Sequence, residues 1–190
     1  MKKDIILSGV GGQGILSIAT IIGDAAVRAG LNLKQAEVHG MSQRGGEVES
    51  GLRLSDAEIH SDMVPLGSAD IILSMEPMEA LRYLPFLHKD GYVITSSSPF
   101  LNIGNYPEEK VKSALAAMEH VITLDLDRIS QENSMPKSAS VILLGAAAGV
   151  IGILTPDQLR ESIRNVFASK GERIVEMNLR AFEIGQEYGR

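Results

Sequence analysis

The chain has 190 residues, 44% hydrophobic and 22% charged, a balance that suits one globular core and is too short for two full-sized domains. Its 24 acidic and 18 basic residues leave a net charge of −6 with no basic block, which argues against a general binder of nucleic-acid backbones. No cysteine is present, which excludes disulfides, thiolate nucleophiles, cysteine-ligated zinc and any iron–sulfur cluster held by this chain alone.

The opening residues lead from Asp4 straight into a short apolar run without a signal-peptide core, so a cytoplasmic protein is expected. Asp4 to Val10 reads as a strand ending in glycines, and Ile15 to Ala29, apolar all round a helical period, as a buried helix. Gly30 is a helix stop and Leu33 to His39 a second strand, so the three elements predict a parallel strand–helix–strand unit. Glu47 to Leu54 and Ala57 to Ser61 alternate polar with apolar residues, whereas Ala69 to Ser74 and Gly91 to Thr95 are apolar enough to be buried on both faces. Val121 to Leu126 completes the strands. Helices are expected over Pro77 to Leu87 and over Pro107 to Glu119, where Glu108 and Glu109 suit a helix N-terminus.

From Pro136 onward only helical patterns follow: Val141 to Leu154, Gln158 to Ser169 behind a Thr155-Pro156-Asp157 cap and first turn, and Glu172 to Tyr188 after Gly171. The run Val141 to Leu154 falls short of the roughly 20 residues of a membrane span, so no membrane partner is expected. Gly145, Gly149 and Gly152 recur at helical spacing, which lets another backbone approach closely and predicts packing of this helix against the sheet or against a partner subunit. The alternation of strands and helices predicts an α/β class: a Rossmann-like, mostly parallel sheet flanked by helices with a C-terminal helical extension. The chain is expected to be a single domain over 1–190, with a core at 1–135 and the extension at 136–190.

The clearest motif is Gly9-Val10-Gly11-Gly12-Gln13-Gly14, a G-x-G-x-x-G set between a predicted strand and a predicted helix. Gly9 permits the tight turn, Gly11 the approach of a diphosphate and Gly14 close helix–sheet packing, and the helix start offers N–H groups to an anion. Gln13 places an amide within possible reach of a ligand, although a purely structural turn would use the same glycines. Glu37 stands close to the spacing, about 20 residues on, at which dinucleotide folds hold a ribose; a solvated or salt-bridged carboxylate is the other reading.

The second motif, His39-Gly40-Met41-Ser42-Gln43-Arg44-Gly45-Gly46, follows the second strand and belongs at the carboxyl edge of the sheet, where such folds bind ligands. Arg44 carries a fork suited to phosphate or carboxylate, or equally to an interface salt bridge, and Gly45 and Gly46 can turn N–H groups toward the same anion. Thr95-Ser96-Ser97-Ser98-Pro99 could line that edge with hydroxyls, or simply be turn composition. Glu76 reads as a helix N-terminal charge. His39 has no nucleophile partner, and His60, His88 and His120 have no metal-ligand spacing, so neither a catalytic residue nor a metal site is expected here.

The two loops together resemble the gamma-type component of the 2-oxoacid:ferredoxin oxidoreductases, and within them the small beta subunit of the indolepyruvate branch. GVGGQG after the first strand is shared across that family, and VHGMSQRGGEVES is similar to the arylpyruvate version, where the pyruvate branch has a YGPE-type stretch before its RGG. The likeness covers Asp4 to about Leu154 and continues into the C-terminal helices. It implies a large alpha-type partner subunit that holds thiamine diphosphate, magnesium and iron–sulfur clusters, with none of these in this chain. The complex it implies decarboxylates an arylpyruvate such as indolepyruvate, passes electrons to ferredoxin and transfers the acyl group to coenzyme A. Carried onto this sequence, Gly9, Gly11, Gly12, Gln13 and Gly14 would meet the phosphates of coenzyme A. Ser42, Arg44, Gly45 and Gly46 would shape the ligand cleft or the subunit interface. Such a chain would be inactive alone, and its interface could drive a homodimer when isolated. The alternative is a free-standing nucleotide-binding module or an NAD-dependent dehydrogenase, with Glu37 on a ribose and His39 moving the proton.

Overall fold

The computed structural model describes residues 1–40, 46–101 and 105–189. Strand β1 (Lys2–Val10) is followed by helix α1 (Ile15–Arg28) and the strands β2 (Asn32–His39), β3 (Glu47–Ser55) and β4 (Ala69–Ser74). Then come α2 (Pro77–Arg82), β5 (Leu87–Ser96), α3 (Glu108–Ala116), β6 (Val121–Leu124) and four helices, α4 (Leu126–Glu132), α5 (Ala139–Ile151), α6 (Pro156–Phe167) and α7 (Glu172–Tyr188). The six strands form one mixed sheet in the order β2-β3-β1-β4-β5-β6. β1, β4, β5 and β6 pair in parallel, and β3 is antiparallel to both β1 and β2. This is the expected α/β class, and among the described residues no helix is long and apolar enough to cross a membrane.

The first three strands differ from the sequence reading in one respect. β2 runs parallel to β1, but β3 lies between them. The connection 40–46 is too short for a crossover, which needs a dozen or more residues, so β3 returns antiparallel along β2, and it does so on the side that faces β1. Ala57 to Ser61 is irregular rather than a strand, and its place is set by a side chain: Arg53 donates to the Ser61 carbonyl at 3.0 Å and the Met63 carbonyl at 3.1 Å. α2 stops at Arg82 because Pro85 follows, and a single 3-10 turn, Leu84–Phe86, completes the connection.

Alternation along the strands divides the apolar residues between two layers. Ile5, Leu7, Ile71 and Leu73 pack under α1 and α5, in a cluster that also takes in Leu159 of α6 and Phe182 of α7. Ile6, Ile72 and Val93 face the other way, onto Ala80 of α2 and Val111 and Leu115 of α3. Since α1 follows β1 on one face and α2 follows β4 on the other, the chain parts between these neighbouring strands, at the carboxyl edge where open α/β sheets bind ligands.

One ion pair is sealed inside this frame. Asp4, with no exposed surface, accepts from Arg53 Nε at 2.9 Å, and its Oδ2 lies 2.7 Å from Lys2 Nζ. Arg53 thus ties β1, β3 and the 56–68 connection together. Removing Arg53 leaves the buried Asp4 charge with only the half-exposed Lys2 beside it, so Arg53→Met is expected to cost about 3 kcal/mol in urea unfolding, the low end for breaking a buried pair. Asp4→Asn with Arg53→Met should recover part of that loss, and additive losses would contradict the coupling.

Candidate functional site

The glycine motif forms a tight loop over the end of β1. Gln13 Oε1 accepts from the Val10 N–H at 2.7 Å and the Gln13 N–H donates to the Val10 carbonyl at 3.1 Å, so the amide closes the loop on itself. Gly9 is required by that closure, because a Cβ there would sit 2.9 Å from Gln13 Oε1 and 3.0 Å from the Ile15 side chain. Gly12 and Gly14 take positive φ of 98° and 86°, and Gly14 is the N-cap of α1. A Cβ on Gly14 would lie 2.9 Å from Ser140 Oγ, so the loop is pressed against the first turn of α5. Gly11 N–H donates to the Gly46 carbonyl at 2.8 Å, which joins the glycine loop to the end of the second loop. Ser42, Arg44 and Gly45 lie outside the described residues.

The loop opens onto a cleft of about 410 Å³. Gly12, Gln13, Gly14 and Ser17 form one wall, Ser96 at the end of β5 and Ser98 just beyond it the next, and Asp127, Lys137 and Ser140 the far side. The starts of α1 and α5 both border this space, and the first N–H groups of a helix have no partner within it. Two starts, a lysine and several hydroxyls make a surface for an anionic ligand. Ser138, the N-cap of α5, is fully buried and its hydroxyl has no partner among the described residues.

The wall opposite the glycine loop is held by carboxylates. Asp125 caps α4, accepting from Ser98 Oγ at 2.7 Å and from the Arg128 N–H at 2.9 Å, and these bonds lower its pKa below the usual carboxylate range. Glu76, only 2% exposed, caps α2 by accepting from the Glu79 N–H at 2.8 Å and also accepts from the Tyr106 hydroxyl at 2.6 Å. The capping role expected of Glu76 is what the geometry provides. Burial, and then the Glu76 carboxylate, raise the Tyr106 phenol well above its ordinary pKa, so it remains a donor.

Ser96 and Ser98 reach the cleft from the expected serine run. Lys137, Ser140 and Ser17 do so from positions the sequence reading did not select; the only local signal was Pro136-Lys137-Ser138 ahead of a helix. Glu37 sits exposed on β2, which β3 separates from β1, and accepts from Gln35 Nε2 at 3.3 Å. Among the described residues no three histidine, aspartate or glutamate side chains gather as metal ligands do.

A model of the family described as pyruvate ferredoxin/flavodoxin oxidoreductase matches residues 4–188. The indolepyruvate oxidoreductase subunit IorB of Thermococcus kodakarensis is 37% identical over 196 residues, covering 97% of this chain and 95% of that protein. The gamma subunit of a keto/oxoacid ferredoxin oxidoreductase from Geobacter sulfurreducens superimposes with a TM-score of 0.70 at 23% identity, covering 98% of both chains. A 2-oxoglutarate:ferredoxin oxidoreductase from Magnetococcus marinus, solved with 2-oxoglutarate, coenzyme A and succinyl-CoA bound, has a TM-score of 0.77 at 19% identity, over 99% of this chain and 31% of that longer one. At these identities the two structures speak for the fold alone.

Proposed function

Because the chain belongs to the pyruvate ferredoxin/flavodoxin oxidoreductase family, we propose that it is the small subunit of an arylpyruvate:ferredoxin oxidoreductase and helps to hold coenzyme A. The observation that carries the coenzyme A role is the joining of the glycine loop to the start of α5 around one polar cleft. The likeness to an indolepyruvate oxidoreductase subunit, over nearly the whole of both chains, favours indolepyruvate or a related arylpyruvate as the oxoacid.

In the reaction proposed, the arylpyruvate loses carbon dioxide, two electrons pass to two ferredoxins, and the acyl group forms a thioester with coenzyme A as the thiol proton is released. Thiamine diphosphate, magnesium and iron–sulfur clusters in a large partner subunit would supply the carbanion chemistry and the electron path. This chain's residues act on the acceptor. N–H groups at the starts of α1 and α5 and the Lys137 ammonium face the diphosphate, while Ser17, Ser98 and Ser140 offer hydrogen bonds around it. Leu16, Phe100 and Leu101, 43%, 40% and 70% exposed, lie in or next to segments that line the cleft and form an apolar face for the large subunit. The proposed role asks no acid–base step of this chain. An NAD enzyme is disfavoured by Glu37, which stands a whole strand away from the glycine loop.

The test is to assemble the complex with and without this chain and follow ferredoxin reduction by indolepyruvate. The expected result is turnover dependent on coenzyme A only when both subunits are present. Full turnover by the large subunit alone, at the same KM for coenzyme A, would remove this chain from the reaction.

A further inference from the structure

A second concavity opens at the same edge of the sheet, on its opposite face. It is a groove of about 280 Å³ walled by Pro77, Pro99, Tyr106, Val111, Leu115 and Val121. Pockets for whole small molecules begin near 300 Å³, so the groove suits one ring system rather than a complete ligand. Its Tyr106 wall is fixed, because the phenol is tied to the buried Glu76 at 2.6 Å and Glu76 is tied in turn to α2. Thr123 and Ser97 add hydroxyls to the lining. Thr95, in register with Thr123 and therefore on the same face, has a buried hydroxyl without a partner among the described residues.

The groove and the glycine-loop cleft adjoin. Pro99 lines both, and the chain alternates between them, with Ser96 and Ser98 turned to the cleft and Ser97 to the groove. A ligand with an anionic middle and a flat apolar end can therefore lie across residues 96–99 with each part in matching surroundings. We infer that this groove seats the adenine ring of coenzyme A, an assignment that rests on the coenzyme A reading given above. The thiol arm must leave this chain to meet the acyl group in the large subunit, which leaves the ring as the part of the molecule that stays. Tyr106 and the two prolines offer it flat surfaces, and the threonine and serine hydroxyls face its nitrogens.

Ala116 lines the groove and is exposed, so Ala116→Trp fills the groove from its rim without entering the core. Calorimetric titration of the assembled complex would use coenzyme A, adenosine 3′,5′-bisphosphate and 4′-phosphopantetheine, with Lys137→Ala as the comparison. The expected result is about tenfold or greater weakening of coenzyme A and the adenosine bisphosphate by Ala116→Trp, with phosphopantetheine unchanged and the melting temperature retained. Weakening of phosphopantetheine instead would put the arm in the groove and overturn the assignment. Coenzyme A weakened by Lys137→Ala but indifferent to Ala116→Trp would also overturn it, and leave the coenzyme A reading standing. Indifference to both substitutions would overturn the two together.

Discussion

Replacing Gly185 by alanine is expected to remove about 3 kcal/mol or more of stability and lower the melting temperature by roughly 6–12 °C, large effects for one methyl group. Helices α5 and α7 cross with their backbones in contact. A Cβ on Gly185 would overlap the Ile142 carbonyl oxygen, and one on Gly145 the carbonyl oxygen of Phe182. Gly189 stands in the same relation to the Ala146 carbonyl. These obstacles are backbone atoms, which no rotamer change can move, so the helices must separate. Separation would strip the packing from Phe182, Ala181, Val141 and Ile142, all fully buried. Gly149 supplies the contrast: it is exposed on α5, and a Cβ there would meet only the Gly189 carbonyl at 3.9 Å, an ordinary contact. Gly149→Ala is therefore expected to stabilise by roughly 0.5–1 kcal/mol through helix propensity. Equal melting temperatures for the two variants would contradict this account of the crossing.

The second large effect concerns the cleft. Gly14→Val is expected to raise the KM for coenzyme A by roughly 100-fold in the assembled complex while leaving the KM for the oxoacid unchanged. A valine at φ 86° is strained, and its Cβ, 2.9 Å from Ser140 Oγ, would push the loop away from α5. The anion would then lose a charge-assisted hydrogen bond from the displaced helix start, worth about 1.5–3 kcal/mol. Lys137→Ala should give a milder, roughly tenfold rise that shrinks as salt is added, because Lys137 is exposed and acts as a screened charge. Equal rises in both Michaelis constants for Gly14→Val would indicate a disturbed fold rather than a lost anion site, and a melting curve separates the two.

Much of this architecture can be read along the chain because local signals agree with it. Gly171 before and Gly189 after an amphipathic run mark α7 at its ends, Thr155 and Gln158 form a reciprocal cap on α6, and the apolar run Ala69–Ser74 is the inner strand it resembles. What escaped depends on distance. The short 40–46 connection makes β2 and β3 an antiparallel pair, but no residue pattern reports that β3 takes the side of β2 facing β1. Leu124-Asp125-Leu126 alternates like a strand, and only the bonds of Asp125 to Ser98 and Arg128 reveal that β6 ends there and α4 begins. The glycine spacing predicts a close backbone approach to the sheet or a partner subunit, yet Gly145 makes it to Phe182 of α7, about forty residues away, and Gly149 does not make it.

The site divides in the same way. The G-x-G-x-x-G loop is legible because its chemistry is local, even to the positive φ of Gly12 and Gly14. The far wall is not, since Lys137 and Ser140 reach Gly14 only after the chain has crossed the sheet. Gln13, read as a possible ligand contact, spends its carbonyl oxygen on the Val10 N–H, a bond that pattern alone does not disclose.

The most direct test of the central claim is calorimetric titration of the assembled complex with coenzyme A and, separately, with NAD, repeated on Gly14→Val. The account predicts that coenzyme A binds, that the substitution weakens it strongly, and that NAD does not bind. Binding of NAD but not coenzyme A, or coenzyme A binding indifferent to Gly14, would contradict it.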